Sequence, residues 1–195
     1  MAGTGKDDDF IQLLNSSAIY LAEAAKKAVE WFKEKLSQII KKIKGDKNKV
    51  FGKTAFPEIG KMYMYVYDPK YKDILPFYDM YPLVFPIEMY NDGFLGINLH
   101  YLPPMGRAAL MTNLKRLSNN NNYDETTKLN ISYQTLKAYA LRFRGVENCI
   151  KRYLFGHVRS SFHQVSSSDW DKAVLLPLQR WQINPNRKYA RNPPY

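Results

Sequence analysis

The chain has 195 residues, 45% of them hydrophobic, which suits one domain with a core and is too apolar for a disordered chain. Its formal net charge is +11, and residues 137–195 hold 11 Lys and Arg against 3 Asp and Glu, a patch suited to an anionic partner, either nucleic acid or an acidic protein surface. A single cysteine excludes an internal disulfide, and no apolar run approaches the roughly 18 residues of a membrane-spanning helix.

Residues 1–9 read as a flexible tail. Asp7, Asp8 and Asp9 stand where an export signal would be basic and then apolar, so no export is expected. Asp8 or Asp9 can cap a helix over residues 10–44. Its stripe, including Leu21, Ala25, Ala28, Phe32, Leu36 and Ile39, keeps spacings of three and four, and Lys26, Lys27, Lys33, Lys41 and Lys42 fall off it. Such a helix is about 54 Å long and needs a surface to cover it, either its own domain or, preferentially, another chain or a second copy. Asn15 to Ser17 are weak helix formers where it can break. Residues 45–60 are Gly- and Lys-rich and read as a linker.

A compact domain over residues 61–183 follows. Met62 to Tyr67 is a strand by composition. Leu83 to Tyr90 and Phe94 to Tyr101 form a hairpin around Asn91-Asp92-Gly93, with Pro82 and Pro86 pushing the first strand toward an edge or a bulge. Pro103-Pro104 opens a helix over Met105–Leu117. A second helix covers 125–143, and a third runs from about Val146 to Val158. Phe162 to Val165 reads as a short strand, and Ser167 or Ser168 caps a short helix with Trp170, Ala173 and Val174 facing inward. Residues 184–195 read as an extended basic arm that orders only against a partner. The class is α+β: a long N-terminal amphipathic helix, then a small antiparallel sheet packed by three or four helices.

The chemistry-bearing residues are sparse. Gly3-Thr4-Gly5-Lys6 lacks the strand and spacing of a phosphate loop. His100, His157 and His163 have no zinc-ligand spacing, and Cys149 reads as a structural thiol. Asp68, Asp73 and Asp79 could converge on a metal in a nuclease, but aspartates among Pro and Tyr more often make turns. The informative segment is Lys137 to Arg159. There Lys151, Arg152, His157 and Arg159 alternate with Tyr153 and Phe155, a mixture suited to phosphate contact and stacking, or to a solvated face over a core. Arg180, Arg187, Lys188 and Arg191, with Trp181, Tyr189 and Tyr195, repeat the theme. Fifteen tyrosines against ten phenylalanines fit either interfaces or a Tyr-rich sheet core.

Three stretches carry a resemblance: YDPKYKDILPFYDMYPLVFPIEMYNDGFLGINLHYLPP (Tyr67 to Pro104), KRYLFGHVRSSFHQV (Lys151 to Val165) and DWDKAVLLPLQRW (Asp169 to Trp181). They resemble a virion protein family of large contractile-tailed bacteriophages, often labelled DNA end protector or head-completion protein. The resemblance implies a non-enzymatic virion protein that contacts packaged DNA or its termini along the head, neck and tail path. It implies assembly in the host cytoplasm, then residence in the virion. The alternative is a purely structural tail or baseplate subunit that binds only other virion proteins. In the first case Lys151, Arg152, His157, Arg159, Arg180, Arg187, Lys188 and Arg191 meet double-stranded DNA; in the second they meet acidic protein neighbours. Leu21, Ala25, Ala28, Phe32, Leu36 and Ile39 are the expected interface to a virion neighbour or a second copy. No cofactor, metal or membrane partner is expected.

Overall fold

The computed structural model describes residues 9–45, 56–72, 78–142 and 149–176. The expected arm over 184–195, with Arg187, Lys188 and Arg191, lies outside the described residues, as do Arg180, Asp73 and most of the expected linker.

The N-terminal segment is two helices, α1 (Asp9–Leu14) and α2 (Ala18–Gly45). The break falls at the weak helix formers. There the Ser16 hydroxyl donates back to the Gln12 carbonyl (3.4 Å), and the Ser17 hydroxyl accepts from the Tyr20 amide (3.3 Å). These local bonds satisfy backbone groups that a continuous helix would pair internally. The stripe of α2 is used within the chain: Ala28, Trp31, Phe32 and Ile39 are buried, and Leu21, Ala25 and Leu36 are half-covered. Phe32 meets the His100 ring edge-on at 5.3 Å, and Lys35 reaches Asp169 (3.7 Å). Ala28, Phe32 and Ile39 of that stripe are thus covered by the chain's own sheet-and-helix body, one of the two surfaces expected for it.

Five strands among the described residues, β1 (Met62–Met64), β2 (Leu83–Tyr90), β3 (Gly93–Asn98), β4 (Ile150–Leu154) and β5 (His163–Val165), form an antiparallel sheet in the order β4-β3-β2-β1-β5. Asn91-Asp92 turns β2 into β3. The pairing shifts between Pro86 and Glu88, so Pro86 makes a bulge in an interior strand rather than an edge. Beyond the bulge Glu88, Met89 and Tyr90 are exposed, and the hairpin tip projects from the core. β3 ends at Asn98, earlier than the expected Tyr101. The Asn98 side chain accepts from the His100 amide (2.9 Å) and starts a 3-10 turn over Leu99–Tyr101.

The two faces of the sheet differ. Met62, Met64, Leu83, Phe85 and Ile97 point to the main core, closed by the helices α3 (Pro104–Ser118), α4 (Glu125–Arg142), α5 (Trp170–Leu175) and α2. Tyr63, Val84, Phe94 and Tyr153 point the other way, into a second core with Tyr65, Tyr67 and Val158. There Phe94 stacks on Tyr153 (5.3 Å between centroids), and Tyr65 meets Tyr153 edge-on (5.7 Å). Four of the fifteen tyrosines, Tyr63, Tyr65, Tyr67 and Tyr153, thus build this second core. The segment joining β4 to β5 crosses over it, held by Arg159 N to Val66 O (2.8 Å) and Asp68 N to His157 O (2.9 Å).

Arg107 of α3 is fully buried. Its Nε donates to the carbonyls of Leu99 (2.7 Å) and Leu102 (2.8 Å), and its Nη1 to Leu176 at the end of α5. One guanidinium thus caps the 3-10 turn and a helix C-terminus, where carbonyls lack partners and a positive charge is favoured.

Over its described part, from Cys149 to Val158, the helix expected from Val146 to Val158 is replaced by a strand and a 3-10 turn. Residues 143–148 lie outside the described residues, and Ile150–Leu154 is the edge strand β4. Pairing with β3 overrides the local pattern, with Lys151 opposite Gly96 and Tyr153 opposite Phe94.

Candidate functional site

The change from helix to strand rearranges the basic residues. Alternate side chains on a strand face opposite ways, so Lys151 and Arg152 leave the sheet on different sides. Lys151 lies on the tyrosine side, its ammonium 4.5 Å from the centre of the Tyr101 ring. Burial pushes its pKa below the ordinary lysine value. Arg152 lies over the Tyr90 ring (3.9 Å) and bonds Asp92 at the hairpin turn. His157 and Arg159 come from the crossing segment. His157 Nδ1 lies 2.8 Å from the Asp68 carbonyl, and Arg159 donates to the Gly156 carbonyl (2.7 Å) and approaches the Asp68 carboxylate (3.5 Å).

Residues 67–72 complete this region. Asp68 accepts from Lys72 (2.9 Å), and that bond, with Arg159 nearby, holds its carboxyl below the ordinary range. Lys70 lies over Tyr71 (5.3 Å). The cations therefore fall into two groups. Lys72, Arg152 and Arg159 each have a carboxylate at hand, whereas Lys70 and Lys151 have none among the described residues.

Between Lys70 and Lys151 opens a cleft of about 290 Å³, walled by Tyr67, Tyr71, Tyr78 and Tyr101, with Asp79 in its lining. Asp79 is buried and fixed. Its Oδ2 accepts from Asn98 Nδ2 (2.8 Å) and lies 2.8 Å from His100 Nδ1; its Oδ1 accepts from the Tyr81 amide (2.9 Å). Burial would raise its pKa, but His100, Asn98 and that amide together hold it below the ordinary value. Asn98 Nδ2 also donates to the Tyr153 hydroxyl (2.9 Å), so the network ties the lining of the cleft to the sheet.

The nuclease-like reading of the aspartates gains no geometry. Asp68 is engaged by lysine and arginine, Asp79 by the buried network, and among the described residues no group of three or more His, Cys, Asp or Glu is placed to hold a metal ion. Cys149 is buried, its Sγ donating to the Tyr101 carbonyl (2.9 Å). Lys137 lies over Tyr133 on α4, one turn away. No helix among the described residues is long and apolar enough to cross a membrane. Sequence reasoning missed Lys70, Tyr71, Tyr78, Tyr101 and the Asp79 network. The available signal was the pair of polar residues, Asn98 and His100, inside an otherwise apolar strand pattern.

A family model described as phage T4 terminal DNA protecting protein matches residues 8–192. No curated protein and no solved structure gives a significant match.

Proposed function

The chain belongs to the phage T4 terminal DNA protecting protein family, and from that membership we propose a non-enzymatic virion protein that binds the ends of packaged DNA and occludes them. The observation that supports this most is the pair of lysines, Lys70 and Lys151, which line one cleft beside the edge strand β4 and have no carboxylate partner among the described residues. Lys151 is also partly buried, and burying a cation without an anion costs stability, which suits a site completed by phosphate. Arg152, His157 and Arg159 extend the basic edge, and Arg180, Arg187, Lys188 and Arg191 would add phosphate contacts from the C-terminal segment.

The mechanism is steric and electrostatic. Lysine and arginine replace counterions along the terminal phosphates, and the bound body blocks access to the strand ends. No bond is made or broken, and linear duplex incubated with protein and magnesium stays intact. Neck, tail or baseplate proteins would hold the complex in place within the particle. The exposed Ile19 and Tyr20 at the start of α2 offer such a neighbour an apolar contact.

Gel-shift titration on blunt linear duplex tests this reading. Binding is expected at low salt, with affinity falling steeply as salt rises, and each cation removed should lower the salt slope by about 1. No binding at low salt overturns it.

A further inference from the structure

We propose that the tyrosine-walled cleft between Lys70 and Lys151 receives the terminal nucleotide of one DNA strand, unpaired from its complement. This rests on the DNA-end reading above and assigns it a site. A cleft of about 290 Å³ cannot admit a duplex, and it lies just below the roughly 300–1,000 Å³ typical of small-ligand sites. A single nucleotide matches that scale.

The lining chemistry agrees. Tyr71 is 53% exposed and presents ring surface that the core does not use, and Tyr78, half-covered, lines the same cleft. Every base has a π-face, so tyrosine walls accept bases with little regard to sequence, as binding to an arbitrary terminus requires. Lys70 and Lys151 lie on the same cleft, cations with no carboxylate partner among the described residues, placed for the phosphate that follows the base. The buried Asp79 carboxylate in the lining disfavours a phosphate beside it and leaves that part of the cleft to the base. The site therefore has a polarity, with the base toward Asp79 and the phosphate toward the lysines.

The geometry also accounts for a preference for ends. An internal base must lose two stacking neighbours and its pair before it can enter, whereas a terminal base has only one neighbour and frays readily. The cleft thus distinguishes a terminus from the rest of the duplex through the cost of extruding the base.

The test compares two DNAs of one sequence, a blunt linear duplex and the same duplex closed by hairpin loops at both ends, titrated with the full chain at low salt. A fluorescent adenine analogue, 2-aminopurine, occupies either the terminal or an internal position. Open ends are expected to bind about tenfold tighter than closed ends, with an emission change at the terminal position only. Tyr71→Ser, at an exposed position, should abolish both the preference and the emission change while retaining salt-dependent binding to closed DNA. Lys151→Gln should weaken binding to open ends and lower its salt slope. Equal binding to open and closed DNA, or a Tyr71→Ser protein that keeps the full preference, overturns the cleft and leaves the DNA-contacting reading intact. Failure to bind either DNA overturns both.

Discussion

Replacing Arg107 with methionine should destabilise the fold more than most single changes. The side chain is fully buried, with bonds at 2.7 and 2.8 Å from Nε and a third from Nη1, all to backbone carbonyls. A hydrogen bond to a charged group contributes about 1.5–3 kcal/mol. Methionine removes the several-kcal/mol cost of burying a guanidinium, an offset that can make a buried ion pair dispensable when both partners are replaced. Here the partners are main-chain carbonyls of Leu99, Leu102 and Leu176, which no side-chain change removes. The net loss is therefore expected near 3–5 kcal/mol, as for a buried pair broken on one side, against a total of about 5–15 kcal/mol for a domain. Equilibrium urea unfolding at neutral pH, followed by far-ultraviolet circular dichroism, measures it. With a slope of about 1–3 kcal/mol per molar, the midpoint should fall by more than 1 M. Arg107→Lys should recover only part, because one ammonium cannot reproduce the planar fork that spans two segments. A methionine variant within about 1 kcal/mol of the parent would refute this account of the clamp.

Asp79→Asn should cost about 1–3 kcal/mol at neutral pH by disrupting the buried hydrogen bonds among Asp79, Asn98 and His100. Because the folded pKa of Asp79 lies below its unfolded value, its contribution is complete above about pH 4 and is lost as pH falls through the folded pKa. The acid limb of the stability profile should accordingly be shallower in the variant. Lys151 has the opposite sense: its folded pKa is lowered, so the unfolded chain binds the proton more tightly and stability rises as pH climbs through the folded value. Lys151→Met should thus be at least as stable as the parent in neutral thermal unfolding while binding DNA more weakly. Gly93→Ala would bring a Cβ to 2.0 Å from the Tyr153 carbonyl oxygen, which is backbone and cannot swing aside. A loss of about 1–3 kcal/mol in urea unfolding is expected, together with weaker DNA binding as β4 shifts.

Much of the fold was legible because local signals and tertiary structure agreed. Asn91-Asp92-Gly93 fixes the hairpin, Pro104 opens α3, and Trp170, Ala173 and Val174 face inward on α5 as their spacing predicts. The failure lies at Ile150–Leu154. Its five residues hold one β-branched side chain and two cations, so neither helix nor strand is specified locally, and pairing with β3 decides. That one misreading scattered the basic patch, since neighbours on a helix become opposites on a strand. The cleft was illegible for a different reason. Tyr71, Tyr78, Tyr101 and Lys151 come from separate segments, and periodicity within any one segment carries no information about their meeting.

The strand order also sets a timetable for folding. β1 pairs with β2 on one side, but its other edge waits for β5, about a hundred residues later, and β3 waits similarly for β4. As the chain emerges from the ribosome, the three-stranded meander β1-β2-β3 therefore stands with both edges unpaired while α3 and α4 are made. Its tyrosine face is also bare in that interval, because the crossing segment that covers it follows β4. Such open edges beside an apolar face invite pairing between nascent chains. Yield of native protein on refolding should thus depend on chain concentration, and closure of the tyrosine core by residues 155–162 should be a late event.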